Sequence, residues 1–373
     1  MIAVATTTRA DWGLLTPLVS ELGRRDAEVA VVASNMHLDP ALGMTVREIE
    51  EAGITPEKLP TAGATPDETF SRTSLLYGRW FGTHHPEAVI ILGDRYEMLA
   101  VASAALLHRV PIVHIAGGTV SEGAIDNAVR DAISRLASLH LVETDLCRTR
   151  LTAMGIDSRD IAVTGALGVW NALNVGLMNR DELEKSLAKK LPEKFFVATL
   201  HAATLDRTPP ECLMGEFLRG LEMHLKQHDN YGAIITYPNN DTDPAPLIKM
   251  LEDFEHAHPG QVILVASLGM RRYLSAVSLS EGVIGNSSSG VVEVASLGVP
   301  TLDIGIRQKG RERAESVVNV ECKAEAITEG LRLICRADFK EMASMRNNPY
   351  FRESTPAKMA DRIVEYLSFA SET

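Results

Sequence analysis

Cysteine is scarce in this chain, and what there is does not pair. Cys147, Cys212, Cys322 and Cys335 are the only four in 373 residues, and no two form a Cys-x-x-Cys arrangement. That speaks against a thiolate zinc site or a disulfide framework and predicts a reduced, cytoplasmic protein. None of the eleven histidines belongs to a His-Glu-x-x-His motif, so no metal is expected; His84-His85, before Pro86, reads as loop. No apolar run is long enough to cross a membrane. Met1-Ile-Ala-Val-Ala-Thr6 runs straight into a strand pattern with no charged leader or cleavage site, so no secretory signal is expected. No Gly-x-Gly-x-x-Gly follows that strand and no Gly-Lys-Ser/Thr occurs, which disfavours a dinucleotide site and a P-loop. Positive charge is short as well: the net charge of −12 argues against a nucleic-acid partner. Repeats, coiled-coil heptads and low-complexity segments are absent.

What is present is alternation. Strand-length apolar runs occur at Ile2–Ala5, Val29–Ala33, Ala88–Leu92, Ile112–Ile115, His140–Val142 and Ile161–Thr164. A second series follows at Phe195–Thr199, Ala233–Thr236, Val262–Val265, Val283–Ile284 and Thr301–Ile304. Amphipathic, helix-length segments separate them. Near-continuous Val/Ile/Ala runs mean strands buried on both faces, and alternation with helices means parallel sheets with right-handed crossovers. The length favours two domains. The sequence turns polar between Trp170 and Leu191, so the expected division is 1–172, 173–355 and a last segment, 356–373. In that segment Met359, Ile363, Val364 and Leu367 form an apolar face that can cross back to the first domain. The expectation is an α/β protein with two parallel-sheet domains facing across a cleft, and with ligands at the carboxyl ends of the strands.

The stretch Gly282–Arg311 is the most informative. An apolar strand end leads into Gly285-Asn286-Ser287-Ser288-Ser289-Gly290, then a helix pattern over Val291–Leu297, with Gly298 at the C-cap position and Pro300 stopping it. Hydroxyls and free backbone N–H groups at a helix start suit a phosphate, and small residues let a ligand approach the backbone. Glu293, placed in the first turn, could accept from a ribose diol. Arg307 and Arg311, after the next strand, could neutralise a diphosphate. The alternative is a serine N-cap with a capping-box glutamate.

Other polar residues gather at strand ends. Asp94 is either an N-cap or a general acid–base tuned by burial and Arg95. Glu122, Asp126 and Arg130 are spaced by four on one helix face, either a surface ladder or a proton-handling cluster beside a flexible Gly117-Gly118 turn. His201, Asn239, Leu268 and Asn286 lie at strand ends in the second half. His201 could offer an imidazolium to a diphosphate, and Arg9, in the first βα loop, is placed for an anion.

Thr8-Arg-Ala-Asp-Trp-Gly13, Gly93-Asp-Arg-Tyr-Glu97, Glu122-Gly-Ala-Ile-Asp-Asn-Ala-Val-Arg130, Gly285-Asn-Ser-Ser-Ser-Gly-Val-Val-Glu293 and Gly305-Ile-Arg-Gln-Lys-Gly-Arg311 together resemble the hydrolysing UDP-N-acetylglucosamine 2-epimerases of sialic and legionaminic acid biosynthesis. The resemblance covers nearly the whole chain. It implies a GT-B fold of two Rossmann-like domains, and conversion of a UDP- or GDP-linked N-acetylhexosamine plus water to the free 2-epimer and the nucleoside diphosphate, through a glycal. It implies no cofactor, and a homodimer. By the same resemblance Asp94 and Asp126 match acidic catalytic positions, Arg130 the arginine beside them, and His201 a histidine near the diphosphate. Arg9, Asn239, Ser287, Ser288, Glu293 and Arg307 match nucleotide-binding positions. The chain departs from the pattern at Ala116 and Thr119, where relatives carry glutamate; Glu122 is the candidate to take over. It also departs at His201-Ala202, where many relatives have His-Pro. The alternatives are a GT-B glycosyltransferase and a nucleotide-sugar-binding protein without catalysis.

Overall fold

Ile2–Thr6 is apolar at all but its last position and becomes a strand buried on both faces. Its odd and even residues serve different cores: Ile2 and Val4 pack with Trp12, Leu15 and Leu18, while Ala3 and Ala5 pack with Tyr77, Phe81 and Met98. The computed structural model describes residues 1–40, 43–121, 125–201, 208–238 and 244–370. They divide into two units, Met1–Thr119 with Asp126–Trp170 and Phe351–Thr373 as unit 1, and Val120–Ile125 with Asn171–Tyr350 as unit 2.

Unit 1 holds strands β1 (Ile2–Thr6), β2 (Val29–Ser34), β3 (Glu57–Leu59), β4 (Ala88–Leu92), β5 (Ile112–Ile115), β6 (Leu139–Val142) and β7 (Ile161–Val163). All pairs are parallel, in the order β3-β2-β1-β4-β5-β6-β7. The order reverses between β1 and β4, the doubly wound pattern. Unit 2 repeats it with β8 (Lys194–Thr199), β9 (Tyr231–Thr236), β10 (Val262–Val265), β11 (Gly282–Gly285), β12 (Thr301–Ile304) and β13 (Val317–Val320), ordered β10-β9-β8-β11-β12-β13. Strands β3 and β13 were not expected from the sequence. Each is an edge strand, paired on one side only, and neither shows a buried apolar run.

The helix Thr355–Ala370 joins the core of unit 1 and packs on the helix Arg9–Gly23. Met359, Ala360 and Ile363 are fully buried; Leu367 is half-buried, and Val364 is exposed rather than part of the apolar face. Residues 359, 363 and 367 repeat every four positions, and 364 falls about 100° off that line. Burying Met359 and Ile363 contributes roughly 1.5–3 kcal/mol each. No helix among the described residues is long and apolar enough to cross a membrane.

Candidate active site

Strands β4, β5 and β6 are neighbours, with Leu92 opposite Ile115 and Ile115 opposite Leu141. The residues just past their carboxyl ends therefore sit side by side. Asp94 follows β4, and its carboxylate pairs with the Arg130 guanidinium. The helix Tyr96–Leu107 is capped at Arg95, with no side-chain cap bond, so Asp94 is not the cap and its cation is Arg130 rather than Arg95. Arg130 is 2% exposed and also donates to the Thr119 carbonyl at 2.5 Å and to Asn127 Oδ1 at 3.0 Å. A guanidinium this buried is tenable because carboxylate and carbonyls surround its fork. Its helix begins at Asp126, so Asp126 and Arg130 share a face one turn apart. Glu122 lies outside the described residues, and the three-residue ladder reduces to these two.

The same helix holds the Asp94 turn a second time. His114, on β5, donates from Nε2 to the Gly93 carbonyl at 2.8 Å, and its Nδ1 accepts from Ser134 Oγ at 3.1 Å. A ring nitrogen facing a carbonyl must carry the proton, which sets the tautomer. Burial drives the His114 pKa down to about 4, so the ring is neutral. Gly117 follows from this. A Cβ there would stand 2.9 Å from Ser134 Oγ and 3.0 Å from His114 Nδ1. Gly117 and Gly118 are both buried. The Gly117-Gly118 pair is thus a close-packed corner, not a flexible turn. Ala116 before it has φ +65°, a left-handed conformation that costs a non-glycine residue about 1 kcal/mol or more.

Arg95 instead donates to Glu97 Oε1 at 3.0 Å, and Asn35 Nδ2 donates to the same oxygen at 2.6 Å. Glu97 is fully buried. Asp11 is spent on a capping box: Oδ2 accepts from the N–H groups of Thr7 and Thr8 at 3.0 Å each, and Oδ1 from Thr8 Oγ1 at 2.9 Å. Arg9 pairs with Glu48 at 3.0 Å on the surface, both side chains more than 40% exposed.

In unit 2 the loop after β11 is built by backbone clamps. Asn286 Oδ1 accepts from the His201 N–H at 2.7 Å, and its Nδ2 donates to the His201 carbonyl at 2.8 Å. The Asn286 carbonyl in turn accepts from Gln308 Nε2 at 2.8 Å and Arg307 Nη1 at 3.2 Å. Gly285 has φ +131°, and a Cβ on it would meet the Thr199 carbonyl oxygen at 1.9 Å. Gly290 would press Thr301 at 3.0 Å. The loop's glycines are there for strand and helix packing, not for ligand approach.

The serines between them are different. Ser287 caps the helix Ser288–Val292 without a side-chain cap bond, so the capping-box alternative fails, and Ser288 is exposed. The helix is shorter and earlier than expected, ending in a 3-10 turn over Val294–Leu297 that Gly298 closes at φ +76°. Glu293 therefore stands at the helix end, not in its first turn; its N–H donates to the Ser289 carbonyl at 2.9 Å. Arg311 Nη2 donates to Ser121 Oγ at 3.2 Å.

His201 was expected as an imidazolium. Burial, with the nearby Arg307 charge, lowers its pKa to about 3, so the ring is neutral here. Leu268 is a core residue, 3% exposed, and its carbonyl accepts from Arg272 Nε at 2.7 Å. Asn239 lies outside the described residues. Among the described residues no group of three His, Cys, Asp or Glu side chains is placed to hold a metal. Sequence reasoning missed Gln308, Glu97 and Ser134, each of which has a partner at least twenty positions away, Asn286, Asn35 and His114. A polar residue inside an apolar run, as His114 is in β5, was the available signal.

The family model for UDP-N-acetylglucosamine 2-epimerases matches residues 20–367. The chain is 33% identical to a GDP/UDP-N,N'-diacetylbacillosamine 2-epimerase (hydrolyzing) of Campylobacter jejuni, over 86% of this chain and 84% of that one. It is 30% identical to a UDP-N,N'-diacetylbacillosamine 2-epimerase (hydrolyzing) of Legionella pneumophila, over 89% of this chain and 88% of that one. Its fold is like that of the UDP-GlcNAc 2-epimerase from Neisseria meningitidis solved with UDP-GlcNAc, with a TM-score of 0.81, 19% identity, and coverage of 98% and 99%.

Proposed function

Because the chain belongs to the UDP-N-acetylglucosamine 2-epimerase family, we propose that it is a hydrolysing 2-epimerase acting on a UDP- or GDP-linked 2,4-diacetamido-2,4,6-trideoxyglucose. The observation that carries this is the likeness, along most of the chain, to two relatives named as hydrolysing diacetylbacillosamine 2-epimerases. The products are the free manno-configured sugar and UDP or GDP. They feed nonulosonic acid biosynthesis in the cytoplasm, with the protein acting as a homodimer.

The chemistry moves protons. C2–H leaves as a proton while the C1–O bond to the diphosphate breaks, giving a C1=C2 glycal. Water then adds to C1 and a proton returns to C2 on the opposite face. Asp94, positioned by Arg130, suits the base for C2–H. Asp126, one turn from Arg130, suits the group that returns a proton. Ser287, Ser288 and Arg307 suit a diphosphate, and Glu293 a ribose. His201, kept neutral chiefly by burial and also by Arg307, suits a neutral hydrogen-bonding contact with the diphosphate. Proton NMR of each donor with the enzyme in deuterated water tests the reading. A free manno-configured sugar bearing deuterium at C2 is expected. Donors that bind but stay intact would overturn it in favour of a nucleotide-sugar-binding protein.

A further inference from the structure

The site has a third carboxylate that the sequence motifs do not contain. Glu143 is the first residue past β6, as Gly93-Asp94 follows β4 and Ala116–Thr119 follows β5. Its half-buried carboxylate accepts from Thr119 Oγ1 at 2.8 Å through Oε2. No cation pairs with it among the described residues, unlike Asp94, which pairs with Arg130, and Glu97, which pairs with Arg95. Thr119 ties it to the centre: the Thr119 carbonyl takes Arg130 Nη1 at 2.5 Å, and Arg130 holds Asp94. Adjacent strands lie about 4.8 Å apart, so β4 and β6 place Asp94 and Glu143 about 10 Å apart at the backbone, with the end of β5 between them. The carboxyl edge of a doubly wound sheet is also where ligands bind.

We propose that Glu143 is a catalytic residue of the hydration step, the base that takes the proton from the water adding to C1, with Thr119 as its positioning residue. This rests on the 2-epimerase reading. In the step, an acid such as Asp126 gives its proton to C2 of the glycal and the C1=C2 electron pair forms the new C2–H bond. The water oxygen bonds C1, and the water O–H bond breaks to leave the proton on Glu143. One carboxylic acid becomes a carboxylate and one carboxylate becomes an acid, so charge and atoms balance. The Thr119 hydroxyl occupies Oε2 and leaves Oε1 to face the water.

The test separates elimination from hydration. Glu143→Gln keeps the size and an acceptor oxygen for Thr119 but cannot take a proton. It is expected to release UDP or GDP while the ratio of glycal to free sugar rises at least about tenfold, with free-sugar kcat falling about 100-fold. Thr119→Val, which keeps the shape and loses the hydroxyl, is expected to raise the same ratio by a smaller factor, and it carries the test if the glutamine variant does not fold. A merely structural hydrogen bond would slow both steps together and leave the ratio unchanged, which overturns the role of Glu143 alone. If the unaltered enzyme releases no nucleoside diphosphate from any of these donors, the 2-epimerase reading falls, and this inference with it.

Discussion

Past β4 and β5 the polar side chains are spent on one another. Asp94 is used by Arg130, Glu97 by Arg95 and Asn35, and His114 by Ser134 and the Gly93 carbonyl. Past β11 the polar side chains are spent on the backbone. Asn286 grips His201 at both its N–H and its carbonyl, Gln308 grips Asn286, and Ser287 makes no cap bond. The two arrangements suit different tasks. A group that moves a proton must have a fixed position, and a network of buried hydrogen bonds and ion pairs supplies it. A group that receives a phosphate must keep donors unspent, so the loop is held by the Asn286 side chain and Gln308, and the Ser287 hydroxyl caps nothing.

The contrast breaks most severely if the proton-handling region fails alone. Asp94→Asn is expected to lower kcat at least about 1000-fold, about 4 kcal/mol, while the dissociation constant for UDP or GDP stays within about twofold. Steady-state kinetics and calorimetry check it, and near-normal turnover would remove Asp94 from the mechanism. Gly285→Ala tests the other region's scaffold. With a Cβ 1.9 Å from the Thr199 oxygen and a φ of +131°, it is expected to cost about 3 kcal/mol or more in urea unfolding and to abolish nucleotide binding. A variant as stable as the parent would show that the loop is not built on that contact.

Acid reaches both units through buried histidines with unlike surroundings. His114 in unit 1 and His224 in unit 2 both have pKa values lowered to about 4 by burial. Neither His224 nitrogen has a hydrogen-bond partner, and the ring lies among Phe196, His228 and Tyr231. The unfolded chain takes up these protons near pH 6.5 and the folded chain only near pH 4. Each histidine's contribution is therefore complete above about pH 6.5 and is lost by up to about 1.4 kcal/mol per pH unit as pH falls towards 4. Urea midpoints at pH 7 and pH 5 measure this. His224→Phe is expected to reduce the loss without lowering activity, whereas His114→Phe, which frees the Gly93 carbonyl, is expected to lower kcat. Equal effects on kcat would erase the distinction. The smallest expected change is in the phosphate loop: Ser288→Ala or Arg307→Ala should weaken UDP or GDP binding about tenfold, about 1.4 kcal/mol, with kcat changed less than about threefold. An unchanged dissociation constant would refute the loop's role.

The sheets were legible because a strand buried on both faces leaves a continuous apolar run. Edge strands Glu57–Leu59 and Val317–Val320 leave none. Strand ends located Asp94, His201 and the serine loop. Partnership was legible only through the family resemblance, which set Arg130 beside Asp94; the residues alone suggested Arg95, because Asp94 and Arg130 are 36 positions apart and a linear pattern does not say which cation a carboxylate will meet. Glycines misled in both regions. Gly117, Gly285 and Gly290 read as freedom for turn or ligand, yet Ser134, Thr199 and Thr301 leave no room for a side chain.

The helix Thr355–Ala370 bears on how the chain is made. Domains commonly fold in the order in which they leave the ribosome. Here Met359, Ala360 and Ile363 share a core with Ile2, Val4 and Leu15, so β1 waits for a helix translated after Asn171–Tyr350. Asn171–Tyr350 is synthesised whole in the interval and can close its own core. The unit begun first is the one finished last, and until then a nascent chain carries an apolar face on the Arg9–Gly23 helix for a chaperone to cover.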